Sequence, residues 1–311
     1  MSPRCVFACS CYFQYFKSVR NSEIIHASRR SIRDFLARTG FSETQTDFIR
    51  DLELETRLED ITKHWEDRDK LQEKIRTGII MGSTAYRHTT IDTRVAIALL
   101  TTFCTAIDDP VTLALWGEDA ALQFHRMLCQ GTVQQTSSMF AELSNLLSRM
   151  WEYFPRFAAS AILSSTLAFL NMTLLQMEAK DVVLRPDALP FVEYRRVQDG
   201  LPEVFAVFIW EKEKFPDVQT YIQAIPIIGD YLNHTKEELV GETGNYIHDR
   251  AAVTGKSLAD TLHEVVEETV NAAERVRRML GEEARDAWDQ FTKGYIVFHT
   301  SNPRYRLLEL L

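Results

Sequence analysis

Glycine and proline are scarce in this chain, 12 and 9 among 311 residues, and they occur singly. No Ser/Gly tract, repeat or low-complexity block supplies a linker, so nothing in the composition divides the chain. The alternation of half-buried strands is missing as well. There is no CxxC…CxxC zinc pattern. Of the five cysteines, Cys5, Cys9 and Cys11 crowd the N-terminus, while Cys104 and Cys129 stand alone. They read as reduced thiols, which suits a cytoplasmic protein. Basic residues are not in excess either. Lys and Arg number 35 against 44 Asp and Glu, a net charge of −9. That excludes a general nucleic-acid binder, which needs a basic face to release counterions. It does not exclude a phosphate ligand, because a few Arg and Lys with metal ions can hold one locally.

The apolar stretch from Cys5 to Phe16 lacks a signal-peptide cleavage pattern. Residues 1–20 are expected to be a poorly ordered N-terminal segment ahead of a single domain over 21–311. The longest apolar run, Phe157 to Met177, is long enough to span a bilayer. It carries Ser160, Ser164, Ser165, Thr166 and Asn171 and has no basic flanks. A buried core helix is therefore expected, with no stable membrane insertion.

What the sequence does hold is helical periodicity. Met139, Phe140, Leu143, Leu146, Leu147, Met150 and Trp151 recur at three-four spacing until Pro155. Ser257 is placed to cap a long amphipathic helix through Leu262, Val265, Val266, Val270 and Val276 to Leu280. Further helices are expected at Glu23–Arg38, Thr44–His64, Arg68–Met81, Thr93–Ile107, Thr112–Cys129, Phe157–Ala179, Pro202–Lys212 and Glu282–Thr300. Within two of these, the stretches Arg94–Ile107 and Phe157–Met177 are apolar nearly all round and belong at the centre of a bundle. The fold class is all-α, a bundle able to enclose a cavity.

Four elements carry chemistry. Asp108-Asp109-Pro110 ends a buried apolar helix, where paired carboxylates are costly unless a cation such as Mg²⁺ neutralises them. An acidic turn exposed to water reads the same way. Asp230, Asn233 and Glu237 share a helical stripe beside Lys236, either a second ligand face or a solvated one. Arg195-Arg196 and Arg304-Tyr305 offer phosphate-gripping forks or surface ion pairs. Aromatic residues near these elements, among them Phe103, Trp210, Trp288 and Tyr295, could face a carbocation or simply pack the core.

In this order the elements resemble the class I terpene cyclases of the fungal trichodiene synthase type. Trp210-Glu-Lys-Glu-Lys-Phe215, Gly241-Glu-Thr-Gly-Asn-Tyr246 and Pro303-Arg-Tyr-Arg-Leu307 extend the resemblance from about Ile25 to Leu308. It implies an all-α helical bundle around a central active-site cavity. It implies a prenyl diphosphate substrate, farnesyl diphosphate, bound with three Mg²⁺ ions, ionised and cyclised to a sesquiterpene. A homodimer is compatible with it. Carried over by position, Asp108 is the first-motif metal ligand, supported by Asp109. Arg195 senses the diphosphate, with Arg196 as the alternate one position along. Lys236 contacts it, Arg304 and Tyr305 close over it, Glu237 is a second-motif ligand, and Phe103 and Tyr295 contribute to the substrate site.

The second motif departs from the family form, Asn-Asp-x-x-Ser-x-x-Lys-Glu. Here the Lys-Glu is preceded by Gly229-Asp230 and Asn233. Either Asp230, Asn233 and Glu237 make a substitute face, or a segment carrying the usual Asn and Ser is missing between Thr235 and Lys236. The second case makes the chain a decayed cyclase that binds a prenyl ligand or a partner without turnover.

Overall fold

The computed structural model describes residues 22–39, 49–135, 138–178, 182–199, 201–240 and 246–302. These form α1 (Ser22–Arg38), α2 (Leu52–Thr62), α3 (Arg68–Thr84), α4 (Ile91–Ile107), α5 (Pro110–Trp116), α6 (Glu118–Gln130) and α7 (Ser138–Tyr153). There follow α8 (Arg156–Glu178), α9 (Leu189–Asp199), α10 (Pro202–Val207), α11 (Ile225–Val240), α12 (Tyr246–Thr254), α13 (Leu258–Met279) and α14 (Glu282–Ser301). No strand occurs among the described residues.

Local rules account for most boundaries. Ser257 caps α13 by accepting the Asp260 N–H at 3.1 Å, a contact of about 1 kcal/mol. The α13 stripe of Leu262, Val265, Val266, Val270 and Val276 is buried. Beyond Arg94, helix α4 is apolar nearly all round and buried on nearly every side. It packs against α3 so closely that a Cβ on Gly78 would lie 2.2 Å from the Ala98 carbonyl oxygen. Successive neighbours α3, α4, α7, α8, α10, α11, α13 and α14 close into a ring, because α14 packs back on α3. Helix α2 covers α3 and α4, and α1 covers α13. Helices α9 and α12 flank α13 with a small apolar cluster of their own: Val192, Tyr246, Ile247, Val253, Leu262 and Val265.

Several expectations from sequence need correction. The segment Thr112–Cys129 is two helices, broken at Gly117, whose φ of 92° favours glycine. The Pro202–Lys212 helix stops at Val207, because the chain turns to send Trp210 and Glu211 into the interior. The described part of Thr44–His64 is helical only from Leu52, after Asp51 caps it; Thr44 itself lies outside the described residues. Helices α9 and α12 were not expected. Helix α8 is long and apolar enough to cross a membrane, yet half of that stretch is buried, and it packs on α7, α9 and α10 as a core helix does. Residues 1–20 lie outside the described residues.

One pole of the ring is a closed floor. Trp210 stacks on Tyr221 at 4.5 Å, Phe154 on Phe208 at 5.2 Å, and Tyr86 lies between Phe208 and Phe291. The one carboxylate in it, Glu211, is 1% exposed and accepts from the Thr90 N–H at 2.9 Å and the Thr90 hydroxyl at 2.8 Å. Burial alone would raise the Glu211 pKa. The Thr90 donors, with Thr93 and Lys214, outweigh burial and hold it below the usual carboxylate range.

Candidate active site

Helices α4 and α11 both start at the floor and run away from it. Helix α4 begins one residue after Thr90, which Glu211 holds. Helix α11 follows the Tyr221–Ala224 turn stacked on Trp210 and rises antiparallel to α10, with Gly229 against Pro202. At 1.5 Å per residue, Asp108 stands roughly 25 Å from the start of α4 and Lys236 roughly 17 Å from the start of α11. Both motifs therefore sit toward the pole opposite the floor.

At Asp108 and Asp109 the chain bends by 98° between α4 and α5. The two carboxylates separate there. Asp109 caps α5, accepting from the Val111 N–H at 3.1 Å and the Thr112 hydroxyl at 2.8 Å, and pairs with Lys74 at 2.9 Å. Its partial burial would raise its pKa, but Lys74, Thr112 and Val111 together hold it below the usual range. Asp108 is exposed. Behind it, burial and the Asp108 charge push the Cys104 thiol far up, so Cys104 stays an inert apolar group.

The arginines separate too. Arg195 pairs with Asp249 of α12. Arg196 is only 7% exposed and donates through Nε to the Asn233 carbonyl at 2.9 Å, with a second bond from Nη2. The buried arginine at this pole is thus Arg196. The side-chain Oδ1 of Asn233 is buried with no hydrogen-bond partner, the state of an acceptor awaiting a donor or a cation. Asp230, one turn earlier, is exposed. Partial desolvation, with Glu193 and Glu268 nearby, pushes its carboxyl above the usual range, against the opposing pull of Arg275.

Phe103 and Tyr295 are both buried. Phe103 lies 5.1 Å from Trp65 and 6.2 Å from Trp116, between α4, α5 and the loop after α2. Tyr295 stacks with Phe291 at 5.3 Å and Phe298 at 6.2 Å along α14. The side chains of Lys236 and Glu237, and all of Arg304 and Tyr305, lie outside the described residues. Sequence reasoning missed Lys74, Glu193, Tyr246, Asp249 and Arg250. For the last three the i, i+3, i+4 spacing was the available signal.

A family model described as trichodiene synthase matches residues 59–311. The chain belongs to the trichodiene synthase family. Terpene synthase 29 of Postia placenta is 50% identical to this terpene synthase over 298 residues, 93% of this chain and 86% of that protein. Monoterpene synthase 25 of the same fungus is 44% identical over 273 residues, 85% and 81% of the two chains. An alpha-cuprenene synthase of Coprinopsis cinerea is 30% identical over 252 residues, 77% and 75%. Membership makes the protein a lyase of the terpene cyclase type with the all-α fold of its class.

Among the described residues no three His, Cys, Asp or Glu side chains cluster closely enough to hold a metal by themselves. The donor set that is present, an exposed carboxylate at Asp108 and an orphaned amide oxygen at Asn233, fits Mg²⁺ shared with a diphosphate. That is how this ion is usually bound, by one or two protein oxygens plus substrate phosphates.

Proposed function

We propose that this terpene synthase ionises farnesyl diphosphate with Mg²⁺ and cyclises the allylic cation to a sesquiterpene, releasing diphosphate. The reading includes a cytoplasmic enzyme of one domain over 21–311 and three Mg²⁺ ions. The observation that carries it is the buried Arg196, held beside the orphaned Asn233 Oδ1 on a helix that rises from a closed aromatic floor.

Asp108, Asn233 and Glu237 would hold the ions, which supply positive charge as the diphosphate leaves. Arg196 would grip the departing diphosphate as a preorganised fork, with Lys236 as a point charge and Arg304 and Tyr305 covering it. Negative charge builds on the leaving group, so donors fixed in place beforehand favour the transition state. Within this reading Arg196 takes the sensor role and Arg195 a supporting one, because Asp249 holds Arg195. Asp109 supports the bend and is not a ligand. The apolar floor would keep water from the cation.

A second reading rests on Asp230. Its carboxyl lies near Glu193, Glu268 and Arg275, and it belongs to no cluster of three His, Cys, Asp or Glu side chains among the described residues. An inactive cyclase fold with a prenyl ligand follows if the second motif is too short. Incubation of the purified chain with geranyl, farnesyl and geranylgeranyl diphosphates, with and without Mg²⁺, followed by gas chromatography–mass spectrometry, tests both. A cyclic C15 product formed only with Mg²⁺ is expected. Products from the C10 substrate alone would move the assignment to a monoterpene synthase. No product from folded protein would favour the inactive reading.

A further inference from the structure

The charge of the chain is unevenly spread. Residues 1–38 hold seven of its 35 Lys and Arg and two of its 44 Asp and Glu, a net charge of +5, whereas residues 39–311 carry −14. No acidic residue precedes Glu23. The same region holds the apolar stretch Cys5–Phe16, whose twelve residues include Phe7, Tyr12, Phe13, Tyr15 and Phe16 and which the catalytic reading leaves without a role. Helix α1 follows it in the chain. Ile32, Phe35 and Leu36 are buried, which seats one face of α1 on α13. Arg38 fastens the end of the helix by bonding Glu267 of α13 at 3.1 Å, with Asp34 at 3.4 Å. The seated face fixes what the other face shows. Arg29, Arg30 and Arg33 are all exposed, and at i, i+1 and i+4 they form one basic face turned away from α13.

We propose that this N-terminal region docks the enzyme on an anionic lipid bilayer, with Arg29, Arg30 and Arg33 against the headgroups and the aromatic residues of Cys5–Phe16 in the interface. Peripheral binding generally needs two signals, an apolar insert and a cluster of positive charge, and both are present within one short region. Tyrosine suits that boundary because one end of the side chain is apolar and the other polar. The negative charge on the rest of the molecule is repelled by such a surface, so the charge pattern turns this end toward the lipid. A nucleic acid would also meet the arginines, but it would leave the apolar stretch unused. A terpene product released beside a bilayer passes into it instead of into water. The proposal does not depend on which prenyl diphosphate is used or on whether the second metal motif works.

Flotation of the full chain with lipid vesicles tests it. Vesicles of about three parts phosphatidylcholine to one part phosphatidylserine should carry the protein, and pure phosphatidylcholine should bind it at least about tenfold more weakly. Added salt should release it. The triple variant Arg29→Gln, Arg30→Gln, Arg33→Gln should bind the anionic vesicles about a hundredfold more weakly. Phe13→Ser with Phe16→Ser should weaken binding about tenfold. The three arginines are exposed, so the melting temperature of the triple variant should match the parent's. A parent that floats with neither kind of vesicle, or equally with both, overturns the proposal, as does binding that survives either set of substitutions. Tighter binding to a DNA duplex than to the anionic vesicles would reassign the arginine face and overturn it as well.

Discussion

The two poles of the ring treat their carboxylates differently. At the floor the Glu211 carboxylate meets three donor contacts from Thr90, and Lys214 lies 3.3 Å away. At the opposite pole Asn233 Oδ1 is buried without a partner, Asp108 stands exposed, and Arg196 donates to the Asn233 carbonyl beside the Tyr246 ring. The floor satisfies its carboxylate from within the chain, although the Tyr221 hydroxyl and His88 Nδ1 are buried there without a partner. The other pole keeps a carboxylate at the surface and an amide oxygen without an acceptor's usual donor, groups that a cation or an anionic ligand's counter-ions can meet.

That contrast can be broken in several ways. The largest effect is expected from Asp108→Ala. Turnover of farnesyl diphosphate should fall on the order of 10²- to 10³-fold while the melting temperature holds, because the variant removes an exposed ligand and no packing. A product yield like the parent's would remove Asp108 from the metal site. Next comes Gly294→Ala on α14, where a Cβ would sit 2.1 Å from the Thr84 carbonyl oxygen. Separating two packed helices should cost about 3 kcal/mol of stability, read by denaturant titration.

Glu211→Ala at the floor should cost about 2 kcal/mol, since it leaves the Thr90 N–H without its acceptor. Its pH dependence has a definite sign. The folded pKa lies below the unfolded value of about 4.3. The unfolded state therefore binds the proton more readily. The stabilisation is present above that unfolded value and is lost as pH falls through the folded one. Glu211→Gln should flatten this acid limb, and an unchanged limb would assign it to other carboxylates. The smallest effect belongs to Asp109→Asn. It keeps the cap on α5 and loses the Lys74 pair, about 1 kcal/mol, with turnover within a few-fold of the parent. A loss matching that of Asp108→Ala would show that the two acids act together after all.

The sequence made some of this legible and hid the rest for physical reasons. Helices α4, α8 and α13 could be read because a stripe or a wholly apolar surface repeats over four or more turns, and Ser257 marked the start of one of them. Short α9 and α12 carry few apolar residues and depend on each other and on α13 for their cluster, so local pattern did not reveal them. The acid pair was conspicuous, yet its division of labour depends on Lys74, 35 residues upstream. The choice between Arg195 and Arg196 was hidden for the same reason. Asp249 lies beside Arg195 and Tyr246 beside Arg196, and both are some fifty residues downstream.

The floor also bears on how the molecule is assembled. Its bonds join Tyr86 to Phe205, His88 to Ile209 and Thr90 to Glu211, separations of 119, 121 and 121 residues. Loops of that size close late and at an entropic cost that local helix pairs such as α3–α4 never meet. During synthesis the first half of the ring therefore leaves the ribosome with its aromatic edge uncovered, and it stays uncovered until residue 211 has followed. Chaperone demand in a cell making this protein should concentrate in that interval.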